Sequence, residues 1–222
     1  MTQLLKTLGR TALFRGLSEE EAEKALSCLG TQRRCYAKGE AVLRAGDHVG
    51  SIALVLSGSV CIENNDAWGN KSVLDRLGQG QVFAETYACV PGEPMMVDVI
   101  AMEEAEILFL NVPELFRLSA AGKGEYSHLI HNMTIISARK NLLLSRRILH
   151  TSSKKIRDRL LSYLSYQAGL QKNRYIDIPL NRQQLADYLN VERSALSNEL
   201  SKMQRDGLLT CRRSSFCLLC EF

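Results

Sequence analysis

An α+β fold is predicted from three features of the 222-residue sequence. Residues 35–110 are short apolar runs broken by glycines, residues beyond Pro113 carry helical spacing, and residues 181–209 hold two short apolar periods around a tight turn. Together they predict an N-terminal double-stranded β-helix (jelly-roll) barrel over 1–120, a long dimerisation helix over 121–150 and a C-terminal winged helix-turn-helix over 151–222.

The barrel comes first. SEEEAEKALSCLG (18–30) opens with Ser18 and carries Glu21 three residues later, the pattern of a capping box, and Gly30 stops that helix. The runs AVL, SIALVLSGSVCI, SVLDRL, MMVDVIAM and AEILFL then follow one another. They are punctuated at Gly39, Gly46-Asp47, Gly58, Gly69-Asn70, Gly78, Gly80 and Pro91-Gly92. Strands of five to seven residues between such turns belong to an antiparallel barrel, whose tight corners need the positive φ that glycine supplies.

The helix comes next. Leu129, Met133, Ile136, Lys140, Leu143 and Arg147 follow alternating steps of four and three, a heptad-like seam. A dimer seam is the expectation; packing of the same stripe on its own barrel is the alternative. Residues 151–168 predict another helix, ended by Gly169, and YIDIPL (175–180) a short strand.

The last segment carries the function. Asn181 is placed to cap a helix whose Leu185, Ala186 and Leu189 share one face, and Asn190 suits a left-handed turn residue. A second helix opens near Glu192 with Leu196, Leu200 and Met203 inward. Its outward face carries Arg193, Ser194, Ser197, Asn198 and Lys202, side chains able to pair with base edges and phosphates. The tail LLTCRRSSFCLLCEF alternates like a hairpin, with Arg212 and Arg213 at its tip as a wing along the phosphate backbone. Charge agrees: residues 139–222 hold 16 Lys/Arg against 7 Asp/Glu, whereas residues 1–138 hold 12 against 17. The second part attracts polyanions, so double-stranded DNA is the expected partner.

A glycine-punctuated barrel, a long helix and a winged helix-turn-helix in that order resemble the Crp–Fnr family of bacterial transcription regulators. The phrases YAKGEAVLRAGD (36–47), IALVLSGSV (52–60) and LADYLNVERSALSNELSKMQRDGLL (185–209) carry the resemblance. It implies a homodimer on two-fold-symmetric promoter sites with RNA polymerase as a partner. It further implies phosphate contacts from Asn181, Arg182 and Gln183, and base contacts from Arg193, Ser194, Ser197 and Asn198. Many members carry Arg where Asn198 stands, so a different operator is expected.

In the nucleotide-binding branch of that family, a Gly-Glu pair contacts ribose and a later Arg-Ser pair holds the cyclic phosphate. Here Ala84-Glu85 and Met95-Met96 stand at those places. A buried phosphate without a cation is costly, so an unidentified small-molecule effector other than a cyclic nucleotide is expected. Phe83, Glu85, Thr86, Tyr87, Met95 and Met96 are the candidate pocket; simple core filling, or no effector at all, is the alternative. No cofactor is expected. Residues 1–27 contain no cysteine for an iron–sulfur cluster, and Cys211, Cys217 and Cys220 lack a fourth zinc ligand. His128 and His131 could share a helix face as haem or metal ligands, but surface positions suit them as well. Cys89 is the candidate redox thiol. No P-loop, HExxH or nucleophile–base pattern occurs, so the chain is not expected to be an enzyme. No membrane-spanning run or apolar leader occurs either, so a cytoplasmic location is expected. A hinge near His150–Ser153 is expected to couple effector to DNA.

Overall fold

The computed structural model describes residues 2–65, 71–122 and 124–219, which fold as two compact units, Met1–Arg139 and Lys140–Phe222. The expected Gly69-Asn70 turn and Cys220 lie outside the described residues.

The first unit begins with α1 (Thr2–Gly9) and α2 (Glu19–Cys28). The Ser18 capping box forms as expected: its hydroxyl accepts from the Glu21 amide, and the Glu21 carboxylate accepts from the Ser18 amide. Eight strands follow: β1 (Gln32–Tyr36), β2 (Ala41–Leu43), β3 (Ser51–Ser57), β4 (Ser59–Asn65), β5 (Lys71–Gly78), β6 (Val82–Phe83), β7 (Asp98–Ala101) and β8 (Ala105–Asn111). They form two antiparallel sheets, β1-β8-β3-β6 and β2-β7-β4-β5. Residues alternate faces along β3. Ala53 and Val55 enter the core between the sheets, while Ile52, Leu54 and Leu56 enter a second core under the helices. Both faces are covered, so Ile52–Leu56 are all buried and the strand reads as a continuous apolar run. At the β3–β4 corner Gly58 has φ +73°, and a Cβ there would stand 2.3 Å from the Glu104 carbonyl oxygen. Only glycine fits.

Helix α1 buries Leu5 and Leu8 in the helical core. The segment after β6 contains α3 (Glu85–Cys89), entered through Ala84 at φ 61°. The helical spacing past Pro113 is realised as two helices, α4 (Val112–Ala120) and α5 (Gly124–Thr151).

Helix α5 has 28 residues. Tyr126, Leu129 and Met133 are buried in the first unit's own core, with Ile136 packed at its margin. Asn132 donates to the carbonyls of Leu13 and Arg15, both at 2.8 Å, which fixes the same face inward. Leu129 and Met133 are therefore intrachain packing residues and not a dimer seam. The expected stripe leaves that core as it continues: Lys140 is half-buried, Leu143 is exposed, and Arg147 donates to the carbonyls of Tyr188 and Asp187.

The second unit contains α6 (Ile156–Gln171), β9 (Tyr175–Asp177), α7 (Arg182–Leu189), α8 (Arg193–Arg205), β10 (Leu209–Arg212) and β11 (Ser215–Leu218). The sheet order is β10-β11-β9. Leu160, Leu164, Leu185, Leu196, Leu200 and Phe216 share its core. Helix α6 starts five residues later than expected and continues through Gly169, closing at Lys172 in the left-handed conformation. A glycine costs a helix about 1 kcal/mol, and the packing of Leu160, Tyr163, Leu164 and Ala168 outweighs it. At the expected hinge segment, His150 is buried within the second unit, its Nδ1 3.0 Å from the Ser162 hydroxyl and its ring edge-on to Tyr163.

Candidate nucleic-acid interface

The helix pair is built by its caps. The Asn181 side chain accepts from the Gln184 amide and the Gln184 side chain accepts from the Asn181 amide, fixing the start of α7. Asn190 ends it at φ 53°, ψ 55°, the left-handed corner that lets α8 cross α7. Buried Ala186 and Leu196 contribute no bulk and one branched side chain to that core. Arg157, on α6, holds α8 from behind through Glu199 at 2.7 Å and Asp206 at 2.7 Å. These pairs anchor the inner side of α8 and leave its outer side free.

Arg193, Ser194, Ser197, Asn198 and Lys202 are all exposed. Arg193 and Ser194 stand at the very start of α8, where a reading helix presents its tip to a groove. The Ser197 hydroxyl donates to the Arg193 carbonyl at 2.9 Å and keeps acceptor capacity outward. Exposed Lys202 lies 4.0 Å from the half-buried Glu199, which is held more closely by Arg157 at 2.7 Å.

Beside the tip lies a cleft of about 550 Å³ lined by Asn181, Arg182, Gln183, Arg193, Arg213 and Ser214. Three guanidiniums and the first turn of α7 converge there without a carboxylate among the lining residues. Such a cleft suits an anion. Arg213, in the turn between β10 and β11, has φ 56°, and Arg212 beside it is exposed. Arg182 is placed differently from its neighbours. It is half-buried, its guanidinium 5.7 Å from the Phe216 ring centroid, and it donates to the Arg213 carbonyl at 3.3 Å. It ties the wing turn to α7, a role that no spacing rule could have signalled because its partners lie about 30 residues away.

The candidate pocket residues of the barrel divide between the core and the surface. Phe83 and Met95 are buried in the core between the sheets and Tyr87 packs at its edge. Glu85 is buried on α3. Thr86 is exposed and Met96 is 68 % exposed. The two methionines diverge because Met95 is held by backbone bonds with Asp47 and Gly46, both 2.8 Å, which turns its neighbour outward. The Tyr87 hydroxyl accepts from the Met96 amide at 3.3 Å. Core filling thus accounts for Phe83 and Met95.

Cys89 packs with its sulfur 4.0 Å from that of Met133. Burial, and then the Glu85 carboxylate, push its thiol pKa up, opposite to what a redox thiol needs. His128 and His131 are exposed on α5. Among the described residues no three His, Cys, Asp or Glu side chains gather around a common metal position.

Comparison with known proteins agrees with this geometry. Residues 33–121 match the model of the cyclic nucleotide-binding domain, and residues 158–219 that of the Crp-like helix-turn-helix domain. The cyclic AMP receptor protein of Thermus thermophilus is 29 % identical over 185 residues, spanning 83 % of this chain and 76 % of that protein. The CRP-like protein Clp of Xanthomonas euvesicatoria is 24 % identical over 189 residues, with 82 % and 81 % covered. Among solved structures, the c-di-GMP responsive global regulator CLP of Xanthomonas campestris superposes with a TM-score of 0.57 at 21 % identity, covering 92 % of this chain and 100 % of that one. The Thermus thermophilus catabolite activator protein gives a TM-score of 0.53 at 23 % identity, with 94 % and 93 % covered. Barrel, long helix and winged helix-turn-helix, each matched in order, make the chain a member of the Crp–Fnr family of DNA-binding transcription regulators.

Proposed function

We propose that the protein acts as a cytoplasmic homodimer that docks two α8 helices in successive major grooves of promoter DNA. Arg193, Ser194, Ser197 and Asn198 read base edges, and Asn181, Gln183, Lys202, Arg212 and Arg213 follow the phosphates. RNA polymerase is the partner at the promoter. The observation that carries this reading is the exposed, polar tip of α8 beside the arginine-lined cleft.

The dimer seam in this reading is the outward stripe of α5. Ile135, Leu142 and Leu149 recur every seven residues and are 36, 54 and 64 % exposed. A heptad stripe of branched side chains that its own chain does not cover is suited to a second copy of the same helix.

Control by an effector other than a cyclic nucleotide is part of the proposal. Met95 occupies the place where the family's nucleotide-binding branch presents a cation, and it is buried in the barrel core. The competing reading, a cyclic nucleotide, is favoured by the domain match over 33–121 and by the name of the Thermus thermophilus relative.

Fluorescence anisotropy with a selected promoter fragment at two salt concentrations tests the reading. Binding weakens steeply with salt, by about 0.9 in log–log slope for each phosphate neutralised. Arg193→Ala costs about 1–3 kcal/mol at one base position. Salt-independent affinity, or an Arg193→Ala variant with unaltered sequence preference, contradicts it. Titration with cyclic AMP then separates the two effector readings by saturable heat or its absence.

A further inference from the structure

Two arginines adjacent on β1 face opposite ways. Arg33 forms an ion pair with Glu106 on the neighbouring strand. Arg34 lies on the same face of β1 as buried Tyr36 but is itself exposed to solvent. Among the described residues Arg34 has no carboxylate partner: its guanidinium carbon stands 5.6 Å from the Phe109 ring centroid, and its remaining bond goes to the Gln32 side chain.

This guanidinium stands in a cleft of about 270 Å³ that opens between β1 and β2, the edge strands of the two sheets. Its lining combines apolar Val42, Val49 and Phe109 with polar Gln32, Arg34 and Ser51, Phe109 standing opposite Gln32 in the β1–β8 pair. None of the residues 82–97, where the family resemblance puts its effector cassette, lines it. The size is just below the usual range for small-molecule sites, about 300–1,000 Å³, so a single ring fits and a larger body does not.

We propose that this cleft binds a small aromatic carboxylate. The guanidinium fork matches a carboxylate in two parallel bonds, and an unpaired cation flanked by apolar surface gains most from an anion that brings its own apolar body. The ring of such a ligand lies against Val42, Val49 and Phe109. The proposal stands whether or not α8 binds DNA.

Isothermal titration calorimetry of the full-length protein with sodium benzoate tests it, with benzamide as the neutral isostere. Saturable binding at one site per chain is expected, at least tenfold weaker for benzamide. Arg34→Met lowers benzoate affinity at least tenfold, whereas Arg213→Met, which removes a cation from the DNA cleft, leaves it unchanged. Benzoate binding that survives Arg34→Met, or that is lost with Arg213→Met, overturns the assignment, as does no saturation at concentrations above about 1 mM. Amide NMR of the unsubstituted protein gives a second readout independent of folding defects. Gly50 and Ser51 should move with benzoate; shifts confined to residues 181–213 contradict the site.

Discussion

If the chain pairs as proposed through the outward stripe of α5, replacing Leu142 and Leu149 together by lysine should dissociate the dimer. Fully burying a leucine contributes about 1.5–3 kcal/mol. These two are 54 and 64 % exposed in one chain, so covering them in a helix pair contributes about 1 kcal/mol each, or about 4 kcal/mol over the two protomers. Losing that weakens association about a thousandfold, and facing lysines repel one another as well. Sedimentation velocity across a concentration series reads the shift directly. Leu143→Lys, at a site 60 % exposed on another face of α5, is the control and should leave the dimer intact. Met133→Ala should behave in the opposite sense. That side chain is 5 % exposed within its own chain, so its truncation lowers the melting temperature by the equivalent of about 2–5 kcal/mol without altering dimer affinity. A Leu142→Lys/Leu149→Lys protein that sediments as the parent does, or a Met133→Ala protein that is monomeric yet as stable, would refute the placement of the seam.

Three further outcomes follow from the geometry. Burial and then Arg146 lower the pKa of His150 below its ordinary 6.5, with Tyr163, Tyr166 and Tyr188 packed around the ring. Its unfolded form takes up a proton first, so stability is lost as pH falls below about 6.5; thermal melts between pH 7.5 and 5 should show the loss, and His150→Phe should flatten it. Arg182→Ala should destabilise the second unit by about 1–2 kcal/mol, the sum of a ring contact and one hydrogen bond, while leaving the salt slope of DNA binding unaltered; a slope smaller by about 0.9 would instead make Arg182 a phosphate ligand. Gly58→Ala should cost about 3 kcal/mol, measured by urea denaturation, because the left-handed backbone and the 2.3 Å approach to Glu104 act together.

Which parts of this molecule were legible beforehand depends on how local their causes are. The Ser18 and Asn181 caps and the left-handed Asn190 are decided by residues within four positions of one another, and each reads correctly from the chain alone; of the expected glycine corners, Gly39, Gly46, Gly58, Gly80 and Gly92 take positive φ, whereas Gly78 closes β5 without it. Recognition face and core face on α8 separate by period, because an amphipathic helix sorts its own sides. Helix α5 defeats the same logic. It has apolar residues on more than one side, and period alone cannot say which stripe meets the barrel; the Asn132 bonds to Leu13 and Arg15, over a hundred residues distant, decide it.

The sequence by itself determined the family, the order of the segments and the polar tip of α8, since periodicity, capping and charge are properties of neighbouring residues. Only the tertiary structure decided that Leu129 and Met133 face their own core, that Met96 leaves the barrel while Met95 fills it, that Arg182 secures the wing, and that Arg34 lacks an acid where Arg33 has one. Each of those outcomes turns on a partner brought close by folding, and distance along the chain carries no record of it.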